Sequence, residues 1–404
     1  MHTIEDRIAK KIKEITRSRD FYENPCFFIH DLLKVQQQID KLTQVLPDFC
    51  HLYYAMKANP HDKILQYMSR SSLIKGLEIA SSGELISAVK YFSPDQIIFT
   101  GPGKTDWELE QCLNLGVHQI HIESLSEAAR LSYLVTHSRR SSIPVLIRIN
   151  LNYQLQGSHN QATGASSKFG IDEAEIYAQA QKIMDLPGLN VRGFHVFAGS
   201  GVTEAVHFND YLSYVQRLMN SLSKSQLPIS VVDIGGGFGI DYTGSGHELD
   251  VSSVANSIVQ LKSALGNHIE KFILELGRYL VGESGYYVTE IIDIKISQEK
   301  KHIITAGGIN HQRRPMAHKQ NHPVSIISLP HKKYRQYSHT VTEEIVDIGG
   351  PLCTKVDYLA KDQWIQKAEV GDLVLVHCSG AYGQTFGHVN FLGHPLAKEY
   401  YIDC

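Results

Sequence analysis

Between about residues 50 and 280, short apolar runs alternate with amphipathic stretches, and this alternation constrains the fold more than any other feature of the chain. Eight runs are typical of buried strands, at 51–55, 76–80, 96–100, 119–123, 144–150, 191–197, 229–234 and 271–275. Helical patterns lie between them, at 83–91, 105–115, 126–137, 172–184, 208–223 and 251–265. Eight strands with crossover helices predict an α/β fold, a (β/α)8 TIM-like barrel, with a doubly wound open sheet as the alternative.

The pattern changes after residue 275, where strand-like segments follow one another with few helical repeats, at 286–296, 302–306, 324–329, 343–348 and 372–378. These segments predict a C-terminal β-rich domain, to which residues near 25–30 could add a strand. We therefore expect three parts: an N-terminal segment, 1–30, that contributes to the β-domain; a barrel, 31–280; and the β-domain, 281–404.

Composition narrows the choice of partners and location. The net charge of −3 over 404 residues gives no basic excess, so the expected partner is a small-molecule substrate, not nucleic acid or a membrane surface. The six cysteines are scattered without a CxxC pair and no apolar leader opens the chain, which favours a cytoplasmic protein. His318 and His322 have an HxxxH spacing, but Pro315 and Pro323 bracket it and argue against the helix that a zinc pair needs, so no metal is expected.

Polar residues follow the predicted strands where a barrel carries its active site, at the carboxyl ends. They are Lys57, Ser81, Glu84, Arg148, His195, Gly235 to Gly237 and Glu275. Lys57 ends an apolar run, and an amine in an apolar site can form a Schiff base because burial favours its neutral, nucleophilic form. A surface lysine that closes a strand is the alternative on this evidence.

Two further motifs indicate a cofactor that carries a phosphate and a basic ring. The glycines after Asp233 allow backbone N–H groups to approach an anion, although such a cluster is as often only a tight turn. Glu275 and Arg278 could hold a protonated ring nitrogen and an anion, or form a local ion pair. Together with a Schiff-base lysine, these features point to pyridoxal 5'-phosphate.

Seven ordered motifs resemble the type III pyridoxal phosphate enzymes, the group of alanine racemase and the ornithine/diaminopimelate decarboxylases, over essentially the entire chain. They are residues 54–59 (YAMKAN), 80–84 (ASSGE), 194–195 (FH), 235–237 (GGG), 275–278 (ELGR), 350–353 (GPLC) with Asp357, and 380–383 (GAYG). The resemblance implies an alanine racemase-like fold and a head-to-tail homodimer, in which the loop that carries Cys353 reaches the partner's active site.

The resemblance also implies roles for single residues. Lys57 would carry the cofactor, His195 would stack on its pyridine face, Glu275 would pair with the ring nitrogen and Arg148 would lie near the phenolic oxygen. The phosphate would be held by Gly235, Gly236, Gly237, Arg278 and Tyr382. Ser200 is a further expected phosphate ligand, although it is spaced more widely from His195 than in ornithine-type relatives.

The carboxylate at Glu275 favours a decarboxylase over a racemase, because a protonated pyridine is a strong electron sink for the carbanion left by CO2. Racemases of this fold place an arginine at that position. Cys353 fits as the acid that protonates Cα, with a buried core thiol as the alternative.

The predicted specificity loop, 308–319, contains no acid, and Thr354 stands after Cys353 where ornithine-type relatives have an acidic residue. The substrate-binding residues expected here are Arg313, Arg314, His311 and Asp357. The basic ones favour a substrate with several carboxylates, since a guanidinium pairs bidentately with each, although a solvated basic loop is the simpler explanation.

Five further motifs resemble siderophore-pathway decarboxylases that act on citrate-conjugated intermediates: 101–106 (GPGKTD), 122–124 (IES), 285–290 (GYYVTE), 321–323 (NHP) and 391–395 (FLGHP). We therefore expect a homodimeric pyridoxal phosphate decarboxylase acting on such a substrate. The alternatives are a diaminopimelate or basic-amino-acid (ornithine/lysine) decarboxylase, an inactive cofactor-binding regulator, and a cofactor-free Schiff-base aldolase.

Overall fold

The computed structural model describes residues 4–158, 160–224, 227–330 and 338–403. Its contacts divide the chain into two compact units. One contains residues 38–240 and 248–279, and the other contains residues up to Gln37, residues 241–247 and residues from Leu280 onwards. The boundaries expected from the sequence, at 30 and 280, stay a prediction of the domain organisation.

Helices and strands are numbered here in chain order. The helices are α1 Asp6–Ile15, α2 Arg19–Glu23, α3 Leu32–Val45, α4 Asp62–Met68, α5 Ser82–Ala88, α6 Asp106–Leu115, α7 Leu125–Thr136, α8 Ile176–Met184, α9 Ala205–Lys224, α10 Val251–Leu265, α11 Arg278–Val281 and α12 Arg314–His318. The strands are β1 Cys26–Asp31, β2 Cys50–Ala55, β3 Ile74–Ile79, β4 Ile97–Phe99, β5 Gln119–Ile122, β6 Ile143–Asn150, β7 Asn160–Gln161, β8 Ile171–Asp172, β9 Leu189–Val196, β10 Gly199–Ser200, β11 Val231–Asp233, β12 Lys271–Leu276, β13 Gly285–Ser297, β14 Lys300–Thr305, β15 Val324–Ile327, β16 Val341–Gly349, β17 Tyr358–Ala368, β18 Leu373–Val376 and β19 Lys398–Ile402.

The first unit is a closed parallel barrel. Its strands follow the order β5-β4-β3-β2-β12-β11-β9-β6, and β6 pairs with β5 to close the ring, while β8 adds a short pairing outside it. All eight strands expected from the sequence form, and the closure rules out the open-sheet alternative. The barrel prediction is therefore confirmed.

Local sequence explains where the barrel helices begin and end. Thr105 and Glu108 form a capping box at the start of α6, and Gly116 ends that helix with a φ of +88°. Ser81 and Ser124 cap α5 and α7 in the same way, by accepting a backbone N–H three residues ahead. The capping hydroxyls thus place one helix after each of three successive strands.

The second unit is a mostly antiparallel eight-stranded sheet with the order β15-β18-β13-β14-β16-β17, in which β1 pairs with β13 and β19. The β-rich segment expected from the sequence is confirmed as a separate sheet, and β1 forms where residues 25–30 were expected to add a strand. One face packs Phe27 and Ile29 against Ile8 and Ile12 of α1. Sequence reasoning missed β17 and β19, whose polar and charged residues break the apolar pattern of a strand.

A short helix, α12, forms where Pro315 was expected to prevent one, because proline is tolerated in a first helical turn. The helix ends at His318, and the next residue, Lys319, has a φ of +49°, so His318 and His322 do not share a helical face. None of the helices in the described ranges combines the length and the apolar character of a membrane-spanning segment. Five cysteines are free thiols, and Cys404 lies outside the described residues.

Candidate active site

The carboxyl ends of the barrel strands bring several of the predicted residues together. Arg148 on β6 is the register partner of His195 on β9, which is in turn the partner of Asp233 on β11. Residues at one register level of neighbouring strands point to the same side, so these side chains converge on the barrel interior. Glu275 joins them from β12, where it pairs in register with Tyr53.

Lys57 lies in a short 3-10 turn, Met56–Ala58, directly after β2. Its Nζ donates to Glu78 Oε2 at 2.6 Å, and Thr100 donates to the other oxygen of the same carboxylate. Glu78 is fully buried, whereas the Lys57 side chain is 45% exposed. A carboxylate anchored below the amine therefore holds Lys57 at the mouth of the barrel and can accept a proton from it.

Glu78 is a site residue that sequence reasoning missed. The available signal was a single carboxylate inside the apolar run of β3, since a charge is rarely buried without a partner. By contrast, Ser81 and Glu84, which follow the same strand, stabilise the start of α5. Ser81 accepts the Glu84 N–H, and Glu84 accepts the Ala80 N–H at 2.7 Å.

The barrel also contains a buried polar cluster made of His121, His195, Asp233 and Glu275. One side-chain nitrogen or oxygen atom of each residue lies within 4.8 Å of those of the others. His195 Nδ1 is 3.1 Å from His121 Nδ1, and His195 Nε2 is 3.7 Å from Glu275 Oε2. Three buried atoms in the cluster have no hydrogen-bond partner among the described residues: His195 Nε2, Asp233 Oδ2 and Glu275 Oε1. Buried polar atoms are usually satisfied, so this arrangement is suited to a ligand.

Charge in the cluster favours a cationic ligand. Burial and the nearby Asp233 and Glu78 carboxylates raise the pKa of Glu275 well above its ordinary value. Burial likewise raises the pKa of Asp233. A protonated ring nitrogen would offset this repulsion, so the cluster fits the pyridine ring of pyridoxal phosphate.

Arg148 is held at the wall of the site by two contacts. It donates to Glu123 Oε1 at 2.8 Å, and its guanidinium lies 4.6 Å from the centre of the Phe169 ring. Glu123 also accepts the Gly170 N–H. This hydrogen bond ties the residue just before β8 to the end of β5. The arginine is therefore oriented before any ligand binds.

The glycine loop after β11 packs too closely for side chains. A Cβ at Gly236 would lie 2.0 Å from the Glu275 carbonyl oxygen, and one at Gly237 would lie 2.3 Å from the Gly199 carbonyl oxygen. Gly235 and Gly237 have φ values of +67° and +99°. The Gly237 carbonyl accepts the N–H groups of Gly201 and Val202, so the loop is held in a fixed conformation. Its role as a phosphate site stays a prediction.

Three further predicted phosphate ligands have different settings. Ser200 pairs with Asn160 in a two-stranded ribbon, and its backbone N–H donates to Ser158 Oγ at 3.1 Å. Arg278 is the first residue of α11, directly after Gly277. Tyr382 belongs to the β-unit and has a φ of +53°. Their contribution to a phosphate site stays a prediction.

Within the β-unit, Asp357 joins the loop that carries Arg313, Arg314 and His311 to the loop that carries Cys353. Its Oδ1 accepts the Ile309 N–H at 2.7 Å, and its Oδ2 accepts the Leu352 N–H at 2.6 Å. Both carboxylate oxygens are thus engaged with backbone. Cys353, next to Leu352, is exposed.

The predicted basic residues of this loop differ from one another. Arg314 is fully buried, with its guanidinium 3.2 Å from the centre of the Tyr242 ring and its Nη1 2.9 Å from His322 Nε2. His311 is also buried. Its Nδ1 contacts the Tyr287 hydroxyl, and its Nε2 contacts a backbone carbonyl oxygen. These contacts indicate that Arg314 and His311 hold the loop in place.

Arg313 has a different environment from Arg314 and His311, and its role in substrate binding stays a prediction. Its guanidinium lies 4.8 Å from the centre of the Phe386 ring. Within the described ranges, no carboxylate is within ion-pair distance of it, and its buried Nε has no hydrogen-bond partner. The arginine is therefore stacked and desolvated on one side but not neutralised.

Comparison with known proteins decides the family. Residues 32–282 match the family described as pyridoxal-dependent decarboxylase, pyridoxal binding domain. The chain belongs to the pyridoxal-dependent decarboxylases. The expected carboxy-lyase activity and the pyridoxal phosphate cofactor are thereby confirmed, and a cofactor-free aldolase is excluded.

Named relatives of this decarboxylase span nearly its whole length. A 2-[(L-alanin-3-ylcarbamoyl)methyl]-2-hydroxybutanedioate decarboxylase of Staphylococcus aureus is 30% identical over 381 residues, 93% of this chain and 94% of that protein. An L-glutamyl-[BtrI acyl-carrier protein] decarboxylase of Niallia circulans is 30% identical over 395 residues, 96% and 90% of the two chains. Diaminopimelate decarboxylases are further relatives.

A solved structure supports the fold. The diaminopimelate decarboxylase of Helicobacter pylori in complex with L-lysine superposes with a TM-score of 0.84 at 24% identity, covering 98% of this chain and 94% of that one. At this identity the likeness concerns the fold, and it agrees with the barrel and the separate sheet described above.

Proposed function

We propose that this decarboxylase removes the α-carboxylate of an amino acid whose side chain carries further carboxylates, a citrate-conjugated siderophore intermediate. The observation that carries the proposal is Arg313, a stacked guanidinium without a carboxylate partner among the described residues. A buried or half-buried cation of this kind gains most from a ligand carboxylate. The loop around it contains no acid that could bind the distal ammonium of a basic amino acid.

The Staphylococcus relative supports this substrate class. Its name describes an alanine unit joined through nitrogen on C3 to a hydroxybutanedioate. That molecule has the amino acid's own carboxylate and two more. A single guanidinium binds one carboxylate bidentately, so Arg313 could anchor one of the two distal groups.

The remaining site residues are proposed to orient the cofactor and move protons. When bound, pyridoxal phosphate supplies the electron sink that takes up the electron pair left behind as CO2 departs. Lys57 is the attachment residue, and Glu78 accepts its proton when the amine must be neutral. Glu275 holds the ring nitrogen protonated, His195 covers the ring face, and Arg148 lies at the wall near the phenolic oxygen.

The phosphate is proposed to lie at the glycine loop with Arg278, Tyr382 and Ser200 as further ligands. Cys353 would donate the proton that replaces CO2 on Cα and would regain one from solvent. Its exposed position, on a loop pinned by Asp357, supports this role.

A homodimer with shared active sites is part of the proposal, since the exposed Cys353 loop would act in the partner's site. Mixing the inactive variants Lys57→Ala and Cys353→Ala tests it. Random exchange makes half of the dimers mixed, and each mixed dimer has one intact site, so about a quarter of wild-type activity should return. No recovery after exchange, with dimers confirmed by light scattering, would contradict sharing. We also propose a cytoplasmic location, which the free thiols of the described cysteines support.

The substrate is tested by incubating the cofactor-loaded protein with the citrate conjugate of 2,3-diaminopropionate, diaminopimelate, ornithine and lysine. CO2 release and product mass are followed by mass spectrometry, with Lys57→Ala as the inactive control. Turnover of the conjugate with a kcat/KM at least about a hundredfold above the others is expected. The second candidate, diaminopimelate, is favoured by the further relatives and would replace the first if it were the preferred substrate.

A further inference from the structure

Two buried side chains of β5 connect to the histidine that is proposed to cover the cofactor ring. Gln119 and His121 are two residues apart on β5 and therefore point to the same side of the strand. Gln119 Nε2 lies 2.9 Å from His121 Nε2, and His121 Nδ1 lies 3.1 Å from His195 Nδ1. None of the three residues is more than 1% exposed. They form a continuous chain of hydrogen bonds inside the barrel.

The direction of these hydrogen bonds follows from the first donor. An amide nitrogen only donates, so His121 Nε2 accepts and carries no proton. A neutral His121 then has its proton on Nδ1 and donates it to His195 Nδ1. His195 accepts there, so its own proton is on Nε2.

The surroundings keep both histidines neutral. Burial lowers the pKa of His121 and of His195 well below the ordinary value, and the cations Lys57, Lys104 and Arg148 act in the same direction. The groups that act in the opposite direction are the carboxyls of Asp233 and Glu275, whose own pKa values are raised by burial and which lie 3.7 to 3.8 Å from the imidazole nitrogens. At these separations the carboxylates are not hydrogen-bonded to the rings.

We propose that Gln119 and His121 are positioning residues that fix the tautomer of His195, with its N–H on Nε2 and facing Glu275. His195 Nε2 is 3.7 Å from Glu275 Oε2 and has no hydrogen-bond partner among the described residues. An N–H directed at a carboxylate favours its charged form, which is the form that pairs with a protonated ring nitrogen. This inference rests on the roles of His195 and Glu275 in the proposed function.

The decisive variant is Gln119→Met, which keeps the length of the side chain but removes the donor. His121 Nε2 then gains from carrying a proton, since Asp233 Oδ2 is 3.8 Å away. The proton leaves Nδ1, and His195 must supply the hydrogen bond from its own Nδ1. Gln66→Met, at an exposed position of α4, is the matched control.

A rescue variant separates positioning from packing. In His121→Asn the side-chain amide nitrogen takes the place of Nδ1 and donates to His195 directly. The tautomer of His195 should then be kept, and adding Gln119→Met should have no further effect. A simple packing defect would not follow this pattern.

The tautomers are read from imidazole 15N chemical shifts in cofactor-free protein, with His195 assigned from the spectrum of His195→Ala. We expect the proton on Nε2 in the wild type and in His121→Asn, and on Nδ1 in Gln119→Met. A wild-type proton on Nδ1, or an unchanged tautomer in Gln119→Met, would overturn the proposal.

Activity gives the second readout. Gln119→Met should lower kcat by about ten- to a hundredfold at unchanged KM, and the control Gln66→Met should stay within about threefold of the wild type. His121→Asn should lose clearly less kcat than Gln119→Met, because it keeps a donor to His195. A normal kcat in Gln119→Met would also overturn the proposal. The proposed function is judged separately, because it fails if His195→Ala and Glu275→Gln leave the affinity for pyridoxal phosphate unchanged, whatever the tautomer.

Discussion

The buried cluster of the barrel and the loop of the β-unit position charge in different ways. In the cluster, His195, Asp233 and Glu275 come from adjacent strands, and their placement follows from strand register alone. In the loop 308–319, placement depends on the hydrogen bond from the Ile309 N–H to Asp357 and on the buried Arg314. The barrel therefore fixes the groups proposed to hold the cofactor ring, whereas the residues proposed to bind the substrate depend on contacts within the loop.

Lys57→Ala tests the barrel side of this comparison and has the largest expected effect. Removing the attachment residue should lower kcat by about a thousandfold or more, because the cofactor can no longer be held covalently. Lys63→Ala, an exposed lysine on α4, is the control and should retain full activity. Borohydride reduction of the wild type followed by peptide mapping should find the phosphopyridoxyl group on Lys57. A label on another lysine would refute the assignment.

Asp357→Ala tests how much the β-unit depends on one side chain. The substitution leaves the Ile309 and Leu352 N–H groups buried without their acceptors, which should reduce the free energy of unfolding by about 3 kcal/mol. Chemical denaturation monitored by fluorescence measures the change. Asp403→Ala, at an exposed residue, should have no effect. Equal stability of the two variants would show that the loops are held by other contacts.

The success of sequence reasoning differs between the same two regions. All eight barrel strands were predictable, because parallel strands buried on both faces give continuous apolar runs. Lys57, His195 and Glu275 could be found because the carboxyl ends of those strands are where barrels place active sites. The roles of Gln119 and His121 were not predictable, since a polar residue in an apolar run does not reveal its hydrogen-bond partner.

In the loop, sequence reasoning could not separate Arg313 from Arg314. Adjacent arginines have the same charge and propensity, and only tertiary packing against Tyr242 buries one of them. The engagement of Asp357 with two backbone N–H groups was hidden for the same reason, because its partners are 48 and 5 residues away in the chain. β17 was missed because its exposed charged residues interrupt the strand pattern.

Arg313→Gln sharpens the contrast between the two arginines. Loss of one charge-assisted carboxylate contact should raise KM for the citrate conjugate by about ten- to a hundredfold at nearly constant kcat. Lys10→Gln, exposed on α1, is the control with the same charge change. Arg314→Gln should instead lower the thermal midpoint, since it removes the buried contact with Tyr242. If Arg313→Gln altered stability and left KM unchanged, its role would be structural.

Asp233→Asn tests the smallest expected effect, which is the contribution of the buried Asp233 carboxyl to the stability of the cofactor-free protein. Because burial raises the pKa of Asp233 to about 7, the folded protein keeps a proton that the unfolded chain loses near pH 4. This contribution to stability is present at low pH and is lost as the pH rises toward 7. The neutral histidines of the cluster have the opposite dependence below about pH 6.5, so the difference between variant and wild type is needed to separate the Asp233–Glu275 pair from the histidines.

The free energy of unfolding of the variant minus that of the wild type should therefore rise from pH 5 to pH 8. The expected rise is on the order of 2 kcal/mol, since each pKa unit corresponds to about 1.4 kcal/mol. Denaturation at both pH values measures the difference, with the exposed Asp210→Asn as control. Adding pyridoxal phosphate should reduce the wild-type pH dependence, because a protonated ring offsets the carboxylate charge. A difference that did not change between pH 5 and pH 8 would show that Asp233 is ionised throughout this range, and that the barrel compensates for the burial of its charge.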